Sequence, residues 1–525
     1  MCLYPIEIVN PTKDFKLNDR IRLKVPCGHC WECSQVRQRE FQTRIMKQME
    51  WNNDHGYVNY FITLTFNFGH IPTIRINCLE EDKLENVQQI ENDNTFCHVF
   101  DKKGFQRFLT SMKRWLKRRY DIGGSNKINY FTGTEKGGKN GRPHIHLFLG
   151  VPSVCPGKDL YDWISDYWQG SLYIDPTDGK KYSDGLGFIY PPEYEGGFVD
   201  GIQQKPFYIK NIFSSSFYVS KYITKDYSFY EDNPVILSYL DQMNFFKKSD
   251  DTHENALYEE MHEKISNFLP FHLCSKGFGL CILEELKADT IVQTIKNVAL
   301  GVEYMKKDGK KGYLSTPSYI LRKLCFDIRY MEIDGKKYVR YDLNDYGRYY
   351  KLYMYDSRLR KAKQDLRNLF TYCRLNNIIK ADEYPIDDSF FDLLAVYKLT
   401  YREMLCPMFY GKESWKFPFD LDNYINICDS HEEFYFDFNQ KDFLLGIANQ
   451  IGIKVEKKYI GYTINRKEVR NIETLTYNNI DLFKSFDKLL DTLEEVQRQK
   501  KYKDAQLKKE EYERLRNLKH SYYHV

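Results

Sequence analysis

Residues 142–148 read Arg-Pro-His-Ile-His-Leu-Phe, and this stretch decides the fold class that we predict. Side chains alternate between the two faces of a β-strand, so His144 and His146 share one face. Ile145 and Leu147 share the opposite face, which is apolar and suited to covering a core. Two neutral imidazoles side by side can hold a divalent metal ion. A pair of half-buried polar histidines without a metal ion is the alternative.

A second strand precedes the histidine strand across a turn rich in glycine and lysine. Residues 128–132 read Ile-Asn-Tyr-Phe-Thr, and the turn covers residues 133–142. Two short strands around such a turn predict an antiparallel pair. Glu135 then lies across the hairpin from the histidines, where its carboxylate can complete a site for Mg²⁺ or Mn²⁺. A surface glutamate in a charged hairpin is the alternative.

Residues 105–120 predict a basic amphipathic helix. The formal charge of the whole chain is only +4, but residues 101–119 hold a cluster of cations against the single acid Asp101. Such a local excess can neutralise nucleic-acid phosphates, although it also fits a solvated helix face. The residues that we expect to contact DNA are Lys113, Arg114, Lys117, Arg118 and Arg119.

Residues 214–225 predict another helix, with serines at its start that can cap it. Tyr218, Tyr222 and Lys225 fall on one helical face, and Lys221 lies beside them. A tyrosine can attack a phosphodiester when a metal ion polarises the phosphate and a cation favours the phenolate. Ordinary surface tyrosines and lysines are the alternative.

Cys27, Cys30 and Cys33 are separated by gaps of two residues that are typical of metal ligands. A structural zinc site usually has four ligands, and no second Cys-x-x-Cys pair occurs in the chain. His29 is too close in sequence to serve easily beside both neighbouring cysteines. A structural zinc ion with a remote fourth ligand is therefore one interpretation. Buried or free thiols are the other, which the sequence favours.

The composition sets the remaining bounds. A chain of 525 residues with 42% hydrophobic residues is long enough for two or three domains. It has no apolar run long enough to span a membrane, and its first residues do not read as a secretion signal. An odd number of cysteines, 13, indicates reduced thiols in a cytosol.

In combination, the motifs resemble the three motifs of the HUH endonucleases. These are the upstream strand Ile62-Thr63-Leu64-Thr65-Phe66, the His-x-His strand and the Tyr-x-x-x-Tyr helix. The chain is more closely similar to the two-tyrosine replication initiators of microviruses, the small single-stranded DNA phages, and especially of the gokushovirus group. The likeness covers roughly residues 25–330. The stretches that carry it are 26–33, Glu135 with 141–146, 218–225 and, weakly, 275–279.

The resemblance implies an α+β fold, with an HUH nuclease core whose central antiparallel sheet is flanked by helices. Helical patterns beyond residue 330 predict a largely helical C-terminal region. We expect an HUH endonuclease domain at 1–250, a mixed accessory region at 251–480 and a charged amphipathic C-terminal helix at 481–525. The implied metal ligands are His144, His146 and Glu135. The implied catalytic residues are Tyr218 and Tyr222, with Lys221 and Lys225 beside them.

The implied activity is rolling-circle initiation in the cytoplasm of a bacterial host. The protein would nick the double-stranded replicative form at its origin, hold the 5′ end on a tyrosine, and leave a 3′-hydroxyl for the host helicase and polymerase. A transposase or mobilisation nuclease of the HUH type is the first alternative. A non-catalytic protein that binds single-stranded DNA is the second.

Overall fold

The computed structural model describes residues 6–9, 22–28, 30–75, 96–124, 126–137, 141–174, 181–199, 201–221, 234–246, 252–306, 309–333, 336–380, 384, 388–399, 456–464, 467–477 and 480–522. The chain forms two compact units. The first unit comprises Met1–Cys33, Lys287–Gly301 and Leu321–Val525. The second, which we call the sheet unit, comprises Ser34–Leu286 and Val302–Ile320.

The described strands are mostly short. In chain order they are β1 (Ile6–Val9), β2 (Arg22–Val25), β3 (Tyr57–Phe66), β4 (Thr73–Arg75), β5 (Phe96–His98), β6 (Asn129–Lys136), β7 (Pro143–Pro152), β8 (Leu172–Ile174), β9 (Lys181–Ser183), β10 (Gly187–Tyr190), β11 (Phe198–Val199), β12 (Ile202–Gln203), β13 (His272–Cys274), β14 (Val302–Met305), β15 (Lys311–Leu314), β16 (Phe326–Ile333), β17 (Lys336–Leu343), β18 (Glu456–Ile464), β19 (Lys467–Tyr477) and β20 (Ile480–Asp481).

The described helices vary widely in length. In chain order they are α1 (Trp31–Asp54), α2 (Lys102–Tyr120), α3 (Gly157–Trp168), α4 (Ile212–Ser220), α5 (Pro234–Phe246), α6 (Thr252–Phe268), α7 (Cys281–Leu286), α8 (Ile291–Leu300), α9 (Ser318–Cys325), α10 (Asp345–Leu375), α11 (Asp388–Tyr397) and α12 (Leu482–Tyr522). Among the helices that the structure describes, none has both the length and the apolar character needed to cross a membrane.

A five-stranded antiparallel sheet organises the sheet unit. Its strand order is β10-β3-β7-β6-β13, so the two longest strands, β3 and β7, lie at its middle. The predicted pairing of the histidine strand with the strand before it is confirmed, because β6 pairs with β7. The mixture of helices and strands around a central antiparallel sheet confirms the α+β class.

One face of the sheet is apolar on its two central strands. Ile62 and Leu64 of β3 and Ile145 and Leu147 of β7 are completely buried there. They belong to one core with the inner side of α2, which buries Phe105, Phe108, Leu109, Met112 and Leu116. Alternation along residues 142–148 predicted this arrangement, because Ile145 and Leu147, which alternate with the histidines, face the core.

The first unit has a separate helical core. The helices α10, α11 and α12 bury their apolar sides together, with Phe370, Leu394, Phe486 and Leu489 almost inaccessible to solvent. The predicted C-terminal helix is present as α12. Its heptad positions Phe486, Leu489 and Leu493 pack into this core, and its other side is rich in charged residues.

Candidate functional site

The second face of the central sheet, which we call the histidine face, is built in four rows across β3, β7 and β6. The register aligns Asn59 with Gly150 and Asn129, then Phe61 with Phe148 and Phe131. The next row aligns Thr63 with His146 and Gly133, and the last aligns Thr65 with His144 and Glu135. The face therefore passes from amides through aromatic rings to the predicted metal ligands.

The amide row anchors α1 to the sheet. Asn52 of α1 donates to Asn59 Oδ1 at 2.7 Å, and its own Oδ1 accepts from Asn129 Nδ2 at 2.9 Å. Gly150 leaves room for this side chain, because a Cβ there would lie 2.0 Å from Asn52 Nδ2. Buried amides that are satisfied by one another hold a unique register. This network thus fixes the end of the face farthest from the histidines.

The aromatic row is covered by helices. Phe131 and Phe148 are fully buried in a small core with Ile45 and Met49 of α1 and Val219 of α4. These residues cover the aromatic row, at the middle of the face. The rows of His146 and His144 lie farther along the strands. Val219 itself is only 1% exposed, so this side of α4 faces the sheet.

The predicted ligands Glu135, His144 and His146 meet on this face. Glu135 lies directly opposite His144 in the strand register, and its Oε2 lies 3.7 Å from His146 Nε2. The imidazole of His146 is buried, while that of His144 is partly exposed. The two rings are 6.4 Å apart between centroids and inclined by 24°. Two nitrogen donors and one carboxylate thus share one corner of the sheet.

A hydrogen bond orients His146. Thr63 Oγ1 lies 2.9 Å from His146 Nδ1. With the proton on Nδ1, the Nε2 lone pair points toward Glu135. Metal-binding histidines usually use their second nitrogen in such a bond, which fixes both the ring orientation and the tautomer. Thr63 is therefore in position to prepare His146 as a ligand.

Two further features of this corner fit a metal ion with bound water. The hydroxyl of Thr65, which is only 3% exposed, has no hydrogen-bond partner among the residues that the structure describes. It lies in the row of Glu135 and His144, where a metal-bound water could satisfy it. Gly137 leaves space for His144, because a Cβ at Gly137 would lie 2.5 Å from His144 Nε2.

The ligand atoms of Glu135, His144 and His146 do not all lie within 4.8 Å of one another. Among the described residues, Cys27, Cys30 and Cys33 form the one group of histidine, cysteine or acidic side chains with three ligand atoms all within 4.8 Å of one another. Neighbouring ligands of an octahedral Mg²⁺ lie roughly 3 Å apart, since each bond is about 2.1 Å long. A metal ion at the histidine face would therefore have to draw His144 and Glu135 inward.

Tyr218 reaches the histidine face through Phe61. The ring of Phe61 stacks on His146 at 6.1 Å between centroids, and it also packs edge-to-face with Tyr218 at 5.5 Å. Tyr218 is 41% exposed, and the Nζ of Lys221 lies 3.8 Å from its ring centroid. An accessible phenol with an adjacent cation thus borders the predicted ligands.

The helix that carries Tyr218 differs from the prediction at its start. It begins at Ile212, two residues earlier than expected, because Asn211 caps it by accepting from the Ser214 backbone N–H at 2.9 Å. The α-helix ends at Ser220. The other two predicted site residues of this region, Tyr222 and Lys225, lie outside the described residues.

The predicted DNA-contact residues lie on the exposed side of α2. Lys113 and Lys117 line a cavity of about 780 Å³ together with Lys127, Lys276 and the ring of Tyr130. Lys113 Nζ lies 4.7 Å from that ring centroid, and burial lowers the pKa of Lys113. Arg114 and Arg118 are exposed, whereas Arg119 approaches Asp159 at 3.5 Å. Lysines and an aromatic ring suit a phosphate and a base.

The surroundings of the histidine face include residues that sequence reasoning missed. Burial and the positive charges of Lys136 and Arg142 lower the pKa of His98, which the sequence analysis did not single out. Phe61 and Thr63 were also missed as site residues. Their positions at alternate residues of the strand could have indicated a shared face, but only the pairing with β7 shows which residues they meet.

Cys27, Cys30 and Cys33 lie in the first unit, and their sulfur atoms come together. They are close to Ala505 of α12.

Comparison with known proteins gives one match. Residues 59–227 are similar to the family described as replication-associated protein ORF2. Neither a curated protein nor a solved structure matches the chain. The matched residues include every predicted ligand and both predicted tyrosines, and they leave out the three cysteines. The match supports a replication initiator of the rolling-circle kind, which implies that the protein binds DNA.

Proposed function

We propose that this chain is a microvirus-type, two-tyrosine HUH endonuclease that nicks one DNA strand at an origin and thereby starts rolling-circle replication. The observation that carries the proposal is the arrangement of the histidine face. Glu135 and His144 are register partners, His146 lies in the next row, and Tyr218 contacts the ring that stacks on His146. A metal site and an accessible nucleophile are what this reaction requires.

The residues that would hold Mg²⁺ or Mn²⁺ are Glu135, His144 and His146. When bound, the metal ion supplies Lewis-acid polarisation of the scissile phosphate. The protein's own contribution is to keep His146 oriented through Thr63 and to keep space for His144 at Gly137. Phe148 and Phe131 are fully buried and fill the row of the same face next to His146.

The chemistry that we propose for Tyr218 is a transesterification. The phenolate oxygen forms a bond to phosphorus, and the bond from phosphorus to the 3′ oxygen of the preceding nucleotide breaks. The proton lost by the phenol is balanced by the proton that the leaving 3′ oxygen gains. One phosphodiester replaces another, so neither water nor an oxidant is consumed. The products are a 5′-phosphotyrosine and a free 3′-hydroxyl.

Charge near the tyrosine supports this step. The ammonium group of Lys221 lies over the Tyr218 ring, where it favours the phenolate over the phenol. Lys136 and Arg142 belong to the same hairpin as the proposed ligands and add positive charge to it. A cationic surrounding stabilises the negative charge that develops on the phosphate.

The second predicted tyrosine, Tyr222, would complete a cycle, with Lys225 as a further cation beside it. After the first cut one phenol holds the 5′ end, so another nucleophile is needed when the origin is regenerated. The free 3′-hydroxyl would prime the polymerase of a bacterial host, with a host helicase opening the duplex. This activity would take place in the cytoplasm of the host.

The test is covalent capture of DNA. Labelled single-stranded oligonucleotides that tile the replicon encoding the protein are incubated with the purified chain and Mn²⁺, and the products are separated under denaturing conditions. We expect an adduct with one oligonucleotide, its loss in excess chelator, and a phosphotyrosine at Tyr218 or Tyr222 by mass spectrometry. Retention without a covalent bond would instead indicate a binding protein. Cleavage only at the ends of a mobile element would indicate a transposase.

A further inference from the structure

The three cysteines of the first unit form a compact sulfur cluster. The sulfur atoms of Cys27, Cys30 and Cys33 all lie within 4.8 Å of one another, and those of Cys27 and Cys33 are 4.0 Å apart. Ligand sulfurs of a tetrahedral zinc ion are roughly 3.8 Å apart, because each Zn–S bond is about 2.3 Å long. The observed separations are therefore close to those of a zinc–thiolate site.

The backbone around the cluster has the features of a thiolate site. The backbone N–H of Cys30 donates to Cys27 Sγ at 3.3 Å, and such a bond stabilises negative charge on sulfur. Gly28 makes this turn with φ of +78°, a left-handed conformation that side chains disfavour. Cys33 lies in the first turn of α1, where the positive end of the helix dipole lowers the energy of a thiolate.

Two of the three cysteines are shielded from solvent. Cys30 is 1% and Cys33 9% exposed, and both pack against Ala505, a small residue of α12.

We infer that Cys27, Cys30 and Cys33 bind a Zn²⁺ ion as three thiolates at the start of α1, where the cysteines pack against Ala505 of α12. A disulfide would join two of these cysteines and leave the third thiol beside them, whereas one metal ion can bind all three sulfur atoms. Thiolate ligands in tetrahedral geometry select Zn²⁺ over the harder ions expected at the histidine face. Water or a further side chain takes the fourth position.

The inference goes beyond the proposed function, because the three cysteines lie outside the residues similar to the replication-associated family. The sequence favoured buried or free thiols, whereas the proximity of the three sulfur atoms favours a metal site.

The first measurement is metal content. We expect about one zinc ion per full-length chain after purification without added metal, and less than about a tenth of that in each of Cys27→Ser, Cys30→Ser and Cys33→Ser. Cys325→Ala, which removes a buried thiol of the same unit, should keep its zinc. His144→Ala should also keep its zinc, which separates this site from the histidine face.

The second measurement does not depend on how well the variants fold. Exchange of the wild-type zinc for Co²⁺ should produce the sulfur-to-cobalt charge-transfer band and the visible bands of a tetrahedral thiolate complex. A wild-type chain without zinc that also fails to develop this band with Co²⁺ would overturn the inference. A Cys27–Cys33 disulfide, or zinc that persists in the cysteine variants and disappears in His144→Ala, would do so as well.

Discussion

The Oγ1 atom of Thr63 lies 2.9 Å from the Nδ1 atom of His146, across the central pair of strands. This contact links a residue outside the proposed ligand set to the most buried of the predicted ligands. When Thr63 Oγ1 accepts from the Nδ1–H of His146, Nε2 is unprotonated and can bind a metal ion. Thr63 is therefore a positioning residue for the proposed site.

Thr63→Val should weaken Mn²⁺ binding by about 10- to 100-fold, the usual cost of removing such a partner. Valine keeps the shape of threonine but offers no hydroxyl group. Thr63→Ser, which keeps the hydroxyl group, should bind Mn²⁺ like the wild type. Titration calorimetry gives both affinities. Equal affinities of Thr63→Val and the wild type would mean that the hydrogen bond does not prepare the ligand.

His144→Ala and His146→Ala should each abolish nicking while the chain still folds. Each change removes one of three proposed ligands, and the partly exposed His144 can be removed with little loss of core packing. The control is His70→Ala, since His70 is exposed and bonded only locally to Asn67. Adduct formation is measured with and without chelator, and circular dichroism verifies folding. Undiminished cleavage by either variant would exclude the proposed ligand set.

Gly137→Ala should reduce metal affinity and nicking although no ligand is changed. The added Cβ would lie 2.5 Å from His144 Nε2, so the imidazole must move away. We expect a loss of about tenfold or more, similar to that of a disturbed supporting residue. Gly69→Ala is the matched control, because its Cβ would meet nothing closer than 3.7 Å. Normal Mn²⁺ affinity in Gly137→Ala would show that His144 is not held at this position in the metal complex.

Tyr218→Phe and Tyr222→Phe should each keep some covalent capture, or one of them should keep all of it. The double variant should form no adduct, because phenylalanine has no nucleophile. Tyr173→Phe, at an exposed tyrosine of the same unit, serves as the control. The adduct is quantified on denaturing gels and mapped by mass spectrometry. An adduct in the double variant, mapped to another residue, would assign the nucleophile elsewhere.

Replacement of Lys113, Arg114, Lys117 and Arg118 by glutamine should weaken binding to all single strands alike. These side chains form a dense basic surface on α2 with little capacity to distinguish bases. The slope of log affinity against log salt should decrease by roughly three, since each lost contact with a single strand contributes about 0.7. Lys103→Gln is the control, because Lys103 is already paired with Glu263 at 2.6 Å. A loss restricted to the origin sequence would contradict a backbone role.

Local patterns of residues predicted much of the secondary structure of the sheet unit. Alternation along residues 142–148 predicted which side chains share a face, because successive side chains of a strand point in opposite directions whatever surrounds them. The glycine-rich turn predicted the hairpin, and the spacing of apolar residues predicted α2 and the inward side of α12. These features depend on neighbours within a few residues, so they can be inferred without the fold.

The contacts between β3 and β7 follow from a strand pairing that no local pattern predicted. The pairing of β3 with β7 brings Thr63 to His146 and Phe61 between His146 and Tyr218, and a shift of one residue would have turned these side chains to the opposite face. Ala505 of α12 packs against Cys30 and Cys33, which lie hundreds of residues away in sequence. Such contacts depend on long-range packing, which no local pattern of residues encodes.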